Sequence, residues 1–239
     1  VFGHRGACGY RPENTLEAFE LAFLQGADGI ECDIVPTKDG HLILRHENSL
    51  VQSTDISIRP DFADRKRIGY SDGDTRVGWF SEDFTLAELK TLRAKERIPE
   101  VRPGSAKFDG QFEIPTVDEL LASEFIRGKI VVLEVKHGAY FTNQGIPVAT
   151  MLRDALTRSD WQERSVSIII ESFDLSMLIE LRRRCGDLAK YLLLTEASRI
   201  PAAPDQVIKT GSPMYEVLNH YLPRIKASDA LNRLELQPD

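Results

Sequence analysis

The sequence lacks several features that would place it in familiar classes of protein. Its 239 residues include only three cysteines, none of them in a Cys-x-x-Cys pair, so neither a structural zinc site nor a full disulfide framework is indicated. No apolar run approaches the roughly 18 residues that span a bilayer. Positive charge is not in excess, because 30 basic residues stand against 37 acidic ones. We therefore expect neither a nucleic acid nor a membrane as the main partner.

Internal repeats, low-complexity segments and glycine-rich phosphate loops are absent as well. Hydrophobic residues make up 42% and charged residues 28% of the chain, both in the ordinary globular range. These values predict a soluble protein with one large folded domain. Because the chain starts at Val1 and not at a methionine, we expect it to be either cytoplasmic or exported after removal of a leader.

The first 35 residues have the pattern of a strand, a helix and a second strand. Apolar residues at one helical face predict a helix over 15–25, with Asn14 as its N-cap and Gly26 as its end. An apolar start precedes this helix, and an alternation of β-branched and acidic residues follows it over 29–35. Such a unit builds a parallel sheet, so an α/β fold is predicted.

A turn at Asp39-Gly40 then predicts a hairpin with a strand over 41–46. With a two-residue turn Asp33 would lie opposite His46, and with a four-residue turn Glu31 would lie opposite His46. Both registers bring His46 to the face that carries the two carboxylates, since residues two apart in a strand share a face.

Residues 48–114 are polar and irregular, with one predicted helix over 85–92, and we interpret them as an insertion. Regular alternation returns afterwards. The further predicted elements are a helix that begins at Pro115-Thr116, strands over 130–136, 165–173 and 188–195, and helices over 148–156 and 175–185. Beyond Thr195 only a helix over 214–222 is suggested, so five barrel-type strands are expected apart from the hairpin.

Polar residues cluster where the predicted parallel strands end, which is where α/β folds bind ligands. Glu31, Asp33 and Glu134 form a set of hard oxygen ligands without cysteine, suited to Ca2+ or Mg2+. A buried acid such as Glu134 in an apolar strand needs a cation or an ion-pair partner. The sequence therefore predicts a divalent metal site.

The same strand ends carry two histidines and two cations. His4 and His46 suit general acid and base catalysis near neutral pH. Arg5 and Lys136 would attract an anionic substrate. Phosphodiester cleavage needs charge neutralisation at phosphorus, a base and an acid, and this set supplies all three. Glu171, near the end of a later strand, is a candidate substrate contact.

The order and spacing of these residues resemble the glycerophosphodiester phosphodiesterase family. The resemblance covers residues 3 to about 195, and the segments that carry it are His4-Arg5-Gly6, Glu13-Asn14-Thr15, Gly29-Ile30-Glu31-Cys32-Asp33, Thr37-Lys38-Asp39-Gly40, His46, Ile114-Pro115-Thr116, Leu133-Glu134-Val135-Lys136 and Ser172-Phe173-Asp174.

This resemblance implies an α/β fold of the TIM-type (β/α) barrel class, with an inserted subdomain after the second strand. Residues 1–47 and 115–239 would form the barrel domain, and residues 48–114 the insertion subdomain. The family pattern assigns Glu31, Asp33 and Glu134 as metal ligands, and His4 and His46 as the acid/base pair. Arg5 and Lys136 would be its substrate-binding residues. The implied reaction is metal-dependent hydrolysis of a glycerophosphodiester to glycerol 3-phosphate and an alcohol.

Two departures from the family pattern stand out. The family usually has His-Asp where this chain has His46-Glu47. Family members also continue with a tryptophan-containing strand and a Thr-Asp strand, whereas Trp79 and Trp161 lie elsewhere. We therefore expect the C-terminal barrel strands to be missing from this chain or replaced.

Two other functions compete with this interpretation. A phospholipase D-like or phosphoinositide-cleaving relative would act on lipid phosphodiesters, and exposed apolar side chains at the rim of the site would favour it. A non-catalytic barrel that binds phosphate esters is the other alternative, and the complete acid, base and metal set argues against it.

Overall fold

The computed structural model describes residues 1–71 and 73–194. In chain order the strands are β1 (Phe2–His4), β2 (Gly29–Pro36), β3 (Leu42–Leu44), β4 (Arg67–Ser71), β5 (Asp74–Gly78), β6 (Ile130–Val135), β7 (Ser167–Ser172) and β8 (Lys190–Leu193). The α-helices are α1 (Leu16–Leu24), α2 (Leu86–Leu89), α3 (Pro103–Ala106), α4 (Val117–Ala122), α5 (Gly138–Asn143), α6 (Val148–Arg158) and α7 (Leu175–Cys185).

The main sheet has six strands, five of them parallel in the order β1-β2-β6-β7-β8. The sixth, β3, runs antiparallel to the carboxyl-terminal end of β2. Helices α1, α6 and α7 connect or follow the parallel strands, so the predicted α/β class and the five barrel-type strands are confirmed within the described residues.

Alternate residues of the parallel strands face opposite sides of the sheet. On one side the apolar residues of β2, β6 and β7 join the main core with α1, α6 and α7; examples are Ile30, Val131 and Ile170. On the other side a smaller apolar cluster contains Val132 and Ile169. This second side also carries the carboxylates described below, so the sheet separates a helix-packed core from the candidate site.

The predicted first helix is confirmed, but its cap is not the residue we expected. Thr15 is the N-cap, because its side-chain oxygen accepts a hydrogen bond from the backbone N–H of Ala18 at 3.2 Å. Asn14 lies one residue earlier with φ 57° and directs its side chain elsewhere. The prediction that Asn14 caps this helix was therefore wrong by one position.

Two later helix starts form the reciprocal bonds of a capping box. Thr85 with Glu88 opens α2, and Thr116 with Glu119 opens α4. In each, the threonine side chain accepts from the glutamate N–H and the glutamate side chain accepts from the threonine N–H. Helix α2 ends at Leu89, earlier than the predicted boundary.

The hairpin has neither of the registers predicted from its turn. Pro36 pairs with Leu42, so five residues connect β2 to β3, and the backbone N–H of Arg45 bonds to the carbonyl oxygen of Asp33 at 2.9 Å. The turn is longer because the Thr37 hydroxyl donates to Asp39 and accepts from the backbone N–H of His41. His46 lies beyond the end of β3, where strand alternation no longer fixes its direction.

Residues 48–114 contain the hairpin β4–β5, helices α2 and α3 and several 3-10 turns. Leu50, Phe84 and Leu89 belong to the same apolar core as the parallel strands. The division into a barrel domain and an insertion subdomain stays a prediction. Two predictions concern residues outside those described: the helix over 214–222, and the absence or replacement of the last barrel strands.

None of the helices in the described ranges is long and apolar enough to cross a bilayer.

Candidate active site

Three buried carboxylates meet where β2 and β6 lie side by side. Glu31 and Asp33 of β2 and Glu134 of β6 are each at most 1% exposed. Each offers one oxygen, and these three oxygens lie within 4.8 Å of one another. One side-chain oxygen of each residue has no hydrogen-bond partner: Glu31 Oε1, Asp33 Oδ1 and Glu134 Oε2. Buried carboxylate oxygens without donors are the ligands that a hard divalent cation requires.

Arg5 binds this cluster with both its backbone and its side chain. Its φ of 57° places the backbone N–H 2.9 Å from the Glu31 carbonyl oxygen and 3.0 Å from Glu31 Oε2. The guanidinium lies 3.3 Å from Asp33 Oδ2 and 3.2 Å from Glu13 Oε1. Although burial opposes ionisation, Arg5 heads the charges that hold the pKa of Asp33 well below its usual range.

Lys136 enters the cluster from the end of β6. Its Nζ donates to Glu134 Oε1 at 2.8 Å and lies 3.7 Å from Asp33 Oδ1. Burial nevertheless dominates at Glu134 and raises the pKa of its carboxyl to about 7, with Lys136 acting in the opposite direction. The two carboxylates raise the pKa of Lys136 against the effect of burial, so this side chain stays cationic.

The two predicted histidines lie on opposite sides of Asp33 in the sequence but close to the same carboxylates. His4 Nε2 is 3.7 Å from Glu31 Oε2, and the His4 side chain is 44% exposed. Partial burial and the Arg5 charge lower the pKa of His4 to about 4. His46 is close enough for its charge to lower the pKa values of both Asp33 and His4.

His46 contacts Glu47, the residue that departs from the family pattern. Its Nδ1 lies 3.4 Å from Glu47 Oε1, and the same oxygen accepts from Arg97 at 3.2 Å. Burial opposes ionisation of Glu47, but the contact with His46 and the nearby Arg97 and Arg45 charges lower the pKa of Glu47 to about 2. The substituted glutamate therefore still contacts the histidine.

Asn14 is a site residue that sequence reasoning missed. Its Nδ2 donates to Asp33 Oδ2 at 2.8 Å, and its Oδ1 accepts from the Asp33 backbone N–H at 3.2 Å. A polar residue just before a helix is typical of an N-cap, so the sequence favoured that role for Asn14 over a contact with Asp33. The linked Glu13-Asn14-Thr15 motif was the available sign of another role.

Residues 48–114 supply two further cations beside the site. Arg97 Nη2 lies 3.4 Å and Arg102 Nη1 3.7 Å from Glu13 Oε2, while the other oxygen of Glu13 accepts a hydrogen bond from Arg5. Glu13 thus links the segment that follows β3 to the arginine that contacts Asp33. The sequence had offered no spacing that would pair these residues.

All seven predicted site residues are brought into one region by this arrangement. His4, Arg5 and Lys136 each contact one or more of the three carboxylates at the carboxyl-terminal end of β1, β2 and β6. His46 follows β3 and contacts Glu47, and its charge acts on Asp33. Such a cluster can bind a divalent cation and an anionic group together, with two imidazoles nearby for proton transfer.

Comparison with known proteins agrees with this geometry. The family model described as the glycerophosphoryl diester phosphodiesterase family matches residues 4–233. A glycerophosphodiester phosphodiesterase of Arabidopsis thaliana is 40% identical over 143 residues, which cover 59% of this chain and 38% of that protein. One from Treponema pallidum is 30% identical over 229 residues, covering 86% of this chain and 59% of its own length.

Solved structures with the same fold include two phosphodiesterases. A putative glycerophosphoryl diester phosphodiesterase from Silicibacter pomeroyi has a TM-score of 0.61 at 25% identity, covering 89% of this chain and 68% of its own. An Oleispira antarctica phosphodiesterase, solved with the product sn-glycerol-3-phosphate, has a TM-score of 0.61 at 22% identity, covering 95% and 80%. The fold is thus that of the TIM-type barrel predicted above. The chain belongs to the glycerophosphoryl diester phosphodiesterase family.

Proposed function

We propose that this chain hydrolyses glycerophosphodiesters, with a divalent metal ion, to glycerol 3-phosphate and an alcohol. The observation that carries the proposal is the buried cluster of Glu31, Asp33 and Glu134, whose ligand oxygens lie within 4.8 Å of one another. The product found in the Oleispira antarctica phosphodiesterase supports the choice of substrate. The chain spans 38% to 59% of the lengths of three curated relatives, so the activity is proposed and not transferred from them.

The three carboxylates would hold Ca2+ or Mg2+, which would supply charge neutralisation at the phosphoryl oxygens. Arg5 and Lys136 are the phosphate-binding residues in this proposal. Both are buried and both already contact Asp33, so their charges lie beside the place where a phosphoryl group would meet the cluster. Their fixed positions cost no reorganisation when negative charge develops in the transition state.

His4 and His46 form the acid/base pair of the proposed reaction. One imidazole takes the proton from the attacking hydroxyl, and the other gives a proton to the leaving alkoxide. Glu47 orients His46 by contacting its Nδ1, which leaves Nε2 available for proton transfer.

Lipid phosphodiesters are a second candidate substrate class because of two exposed apolar side chains. Phe173 is 52% and Leu175 37% exposed, and both follow the carboxyl-terminal end of β7. The Phe173 ring centroid is 5.7 Å from Lys136 Nζ, so this apolar surface borders the proposed phosphate site. A lysophospholipid could place the start of its acyl chain there.

A metal-replacement assay tests the main proposal. The full chain, treated with EDTA, should lose hydrolysis of glycerophosphocholine and regain it with Ca2+ or Mg2+, as measured by release of glycerol 3-phosphate. Full activity in the chelator would contradict the role of the metal. Binding of the phosphodiester without turnover at any metal concentration would instead favour the non-catalytic barrel.

Histidine variants test the proposed acid/base pair. His4→Ala and His46→Ala should each lose at least about a hundredfold in turnover, the usual contribution of a positioned general acid or base. His41→Ala is the matched control, because the described hydrogen bonds of His41 are made by its backbone to Thr37 within the β2–β3 turn. Retained turnover in His4→Ala or His46→Ala would remove that residue from the mechanism.

The two substrate classes are separated by a parallel assay. Glycerophosphocholine and lysophosphatidylcholine are compared with the parent chain and with Phe173→Ala. Faster turnover of the lysophospholipid, lost in Phe173→Ala, would favour the lipid substrate over the water-soluble one.

A further inference from the structure

A fourth buried carboxylate lies beside the proposed metal site without any partner. Glu171 of β7 is 0% exposed, and neither of its side-chain oxygens has a hydrogen-bond donor. Among the described residues, Glu171 has the one buried carboxyl group in which both oxygens lack a hydrogen-bond partner. A buried ionised carboxylate without a donor or a cation is costly, so this position needs a physical explanation.

The register of three strands places Glu171 in line with two of the proposed ligands. Asp33 of β2 pairs with Glu134 of β6, and Glu134 pairs with Glu171 of β7. Paired residues in neighbouring parallel strands point to the same side of the sheet and are about 4.8 Å apart. The three carboxylates therefore form one row, with Glu31 on the same face two residues before Asp33.

The charges on this face do not balance within the protein. Four acidic side chains, those of Glu31, Asp33, Glu134 and Glu171, share it. Two basic side chains contact them, Arg5 and Lys136. With all four carboxyls ionised, as the ligands of a cation are, the excess is two negative charges, which a divalent cation would cancel.

We propose that Glu171 is a fourth carboxylate ligand of the divalent cation held by Glu31, Asp33 and Glu134, and this inference rests on the proposed function. A set of four carboxylates suits Ca2+, which takes six to eight oxygen ligands, better than Mg2+, which keeps several of its waters. The bound cation would then stabilise the buried Glu171 carboxylate in place of a hydrogen-bond donor.

Calcium titration of the metal-free protein tests this role without relying on activity. The full chain is stripped with a chelator and titrated with Ca2+ in a calorimeter. Glu171→Gln should weaken Ca2+ binding by about tenfold or more, since loss of even an outer contact of a metal site costs about that much. Glu180→Gln, which removes the same charge from the exposed surface of α7, should bind as the parent does.

Failure of this inference is distinguishable from failure of the proposed function. If the parent chain binds no Ca2+, the proposed metal site itself is wrong. If the parent binds and Glu31→Gln abolishes binding, while Glu171→Gln binds as tightly as the parent, only the role of Glu171 is overturned.

Thermal melting separates a ligand from a residue that merely stabilises the fold. Without a cation Glu171→Gln should melt at the same temperature as the parent or higher, because it removes an acid from a crowded cluster. The rise in melting temperature that Ca2+ gives should be smaller in the variant. A variant that melts lower without cation and keeps the full Ca2+-induced rise would overturn the proposal.

Discussion

Replacing Asn14 tests whether a single amide holds Asp33 in its place. Asn14 is fully buried and makes two hydrogen bonds with Asp33. The Asn14 Nδ2 donates to Asp33 Oδ2, and the Asn14 Oδ1 accepts from the backbone N–H of Asp33. Its own backbone N–H donates to the Arg5 carbonyl oxygen at 3.1 Å. Its φ of 57° lies in the left-handed region, which asparagine tolerates better than alanine.

The expected cost of Asn14→Ala has two parts. Loss of the two hydrogen bonds leaves the buried N–H of Asp33 without its Asn14 acceptor and leaves Oδ2 with only its ion pair to Arg5, which costs about 2–4 kcal/mol. Alanine in a left-handed conformation costs about 1–2 kcal/mol more. The free energy of unfolding should fall by about 3–6 kcal/mol, a large part of the stability of a typical domain.

The variant Asn14→Gly separates the cost of the lost hydrogen bonds from the cost of the left-handed backbone. Glycine loses the same hydrogen bonds but adopts a positive φ without strain, so this variant should be more stable than Asn14→Ala by about 1 kcal/mol. Urea denaturation of the parent and the two variants measures both differences. The reasoning is refuted if Asn14→Ala costs less than about 1 kcal/mol, or if the alanine variant is the more stable of the two.

Two further predictions concern a glycine and the glutamate behind His46. Gly6 has φ 78°, and a Cβ built on it would lie 2.6 Å from the backbone of Ala18. Gly6→Ala should therefore lower the free energy of unfolding by about 2–4 kcal/mol. Gly9→Ala, where a Cβ meets no atom within 4 Å, should be nearly neutral in the same denaturation series. The pKa of Glu47 falls from 4.5 to about 2 on folding, so its contribution to stability is present above pH 4.5 and is lost as pH falls towards 2. Glu47→Gln should flatten the pH dependence of unfolding in that window, and an unchanged slope would contradict the lowered pKa of Glu47.

The sequence predicted those elements that local chemistry determines. The capping boxes at Thr85 and Thr116 are formed by residues three positions apart, so their signal is complete within one turn. The apolar runs of β6 and β7 likewise predicted buried parallel strands. The carboxylate cluster followed from those strands because the acids lie near their carboxyl ends.

The elements that depend on distant contacts were missed or misplaced. The β2–β3 turn is five residues long because Asp39 also accepts a hydrogen bond from the backbone N–H of Leu86, which lies 47 positions away. The hairpin β4–β5 lies in a polar segment whose alternation is weak. The alignment of Glu171 with Glu134 depends on how β6 and β7 pair, which no local pattern specifies.

The single row formed by Asp33, Glu134 and Glu171 makes strand alignment a condition for ligand binding. Its members come from strands that begin at residues 29, 130 and 167, so the row is assembled only after long-range pairing is complete. A slip of one residue in either pairing would turn a carboxylate into the helix-packed core and an apolar residue towards the site. A ligand that requires all three carboxylates therefore binds only the correctly paired sheet. Its binding free energy stabilises that pairing and no misaligned one.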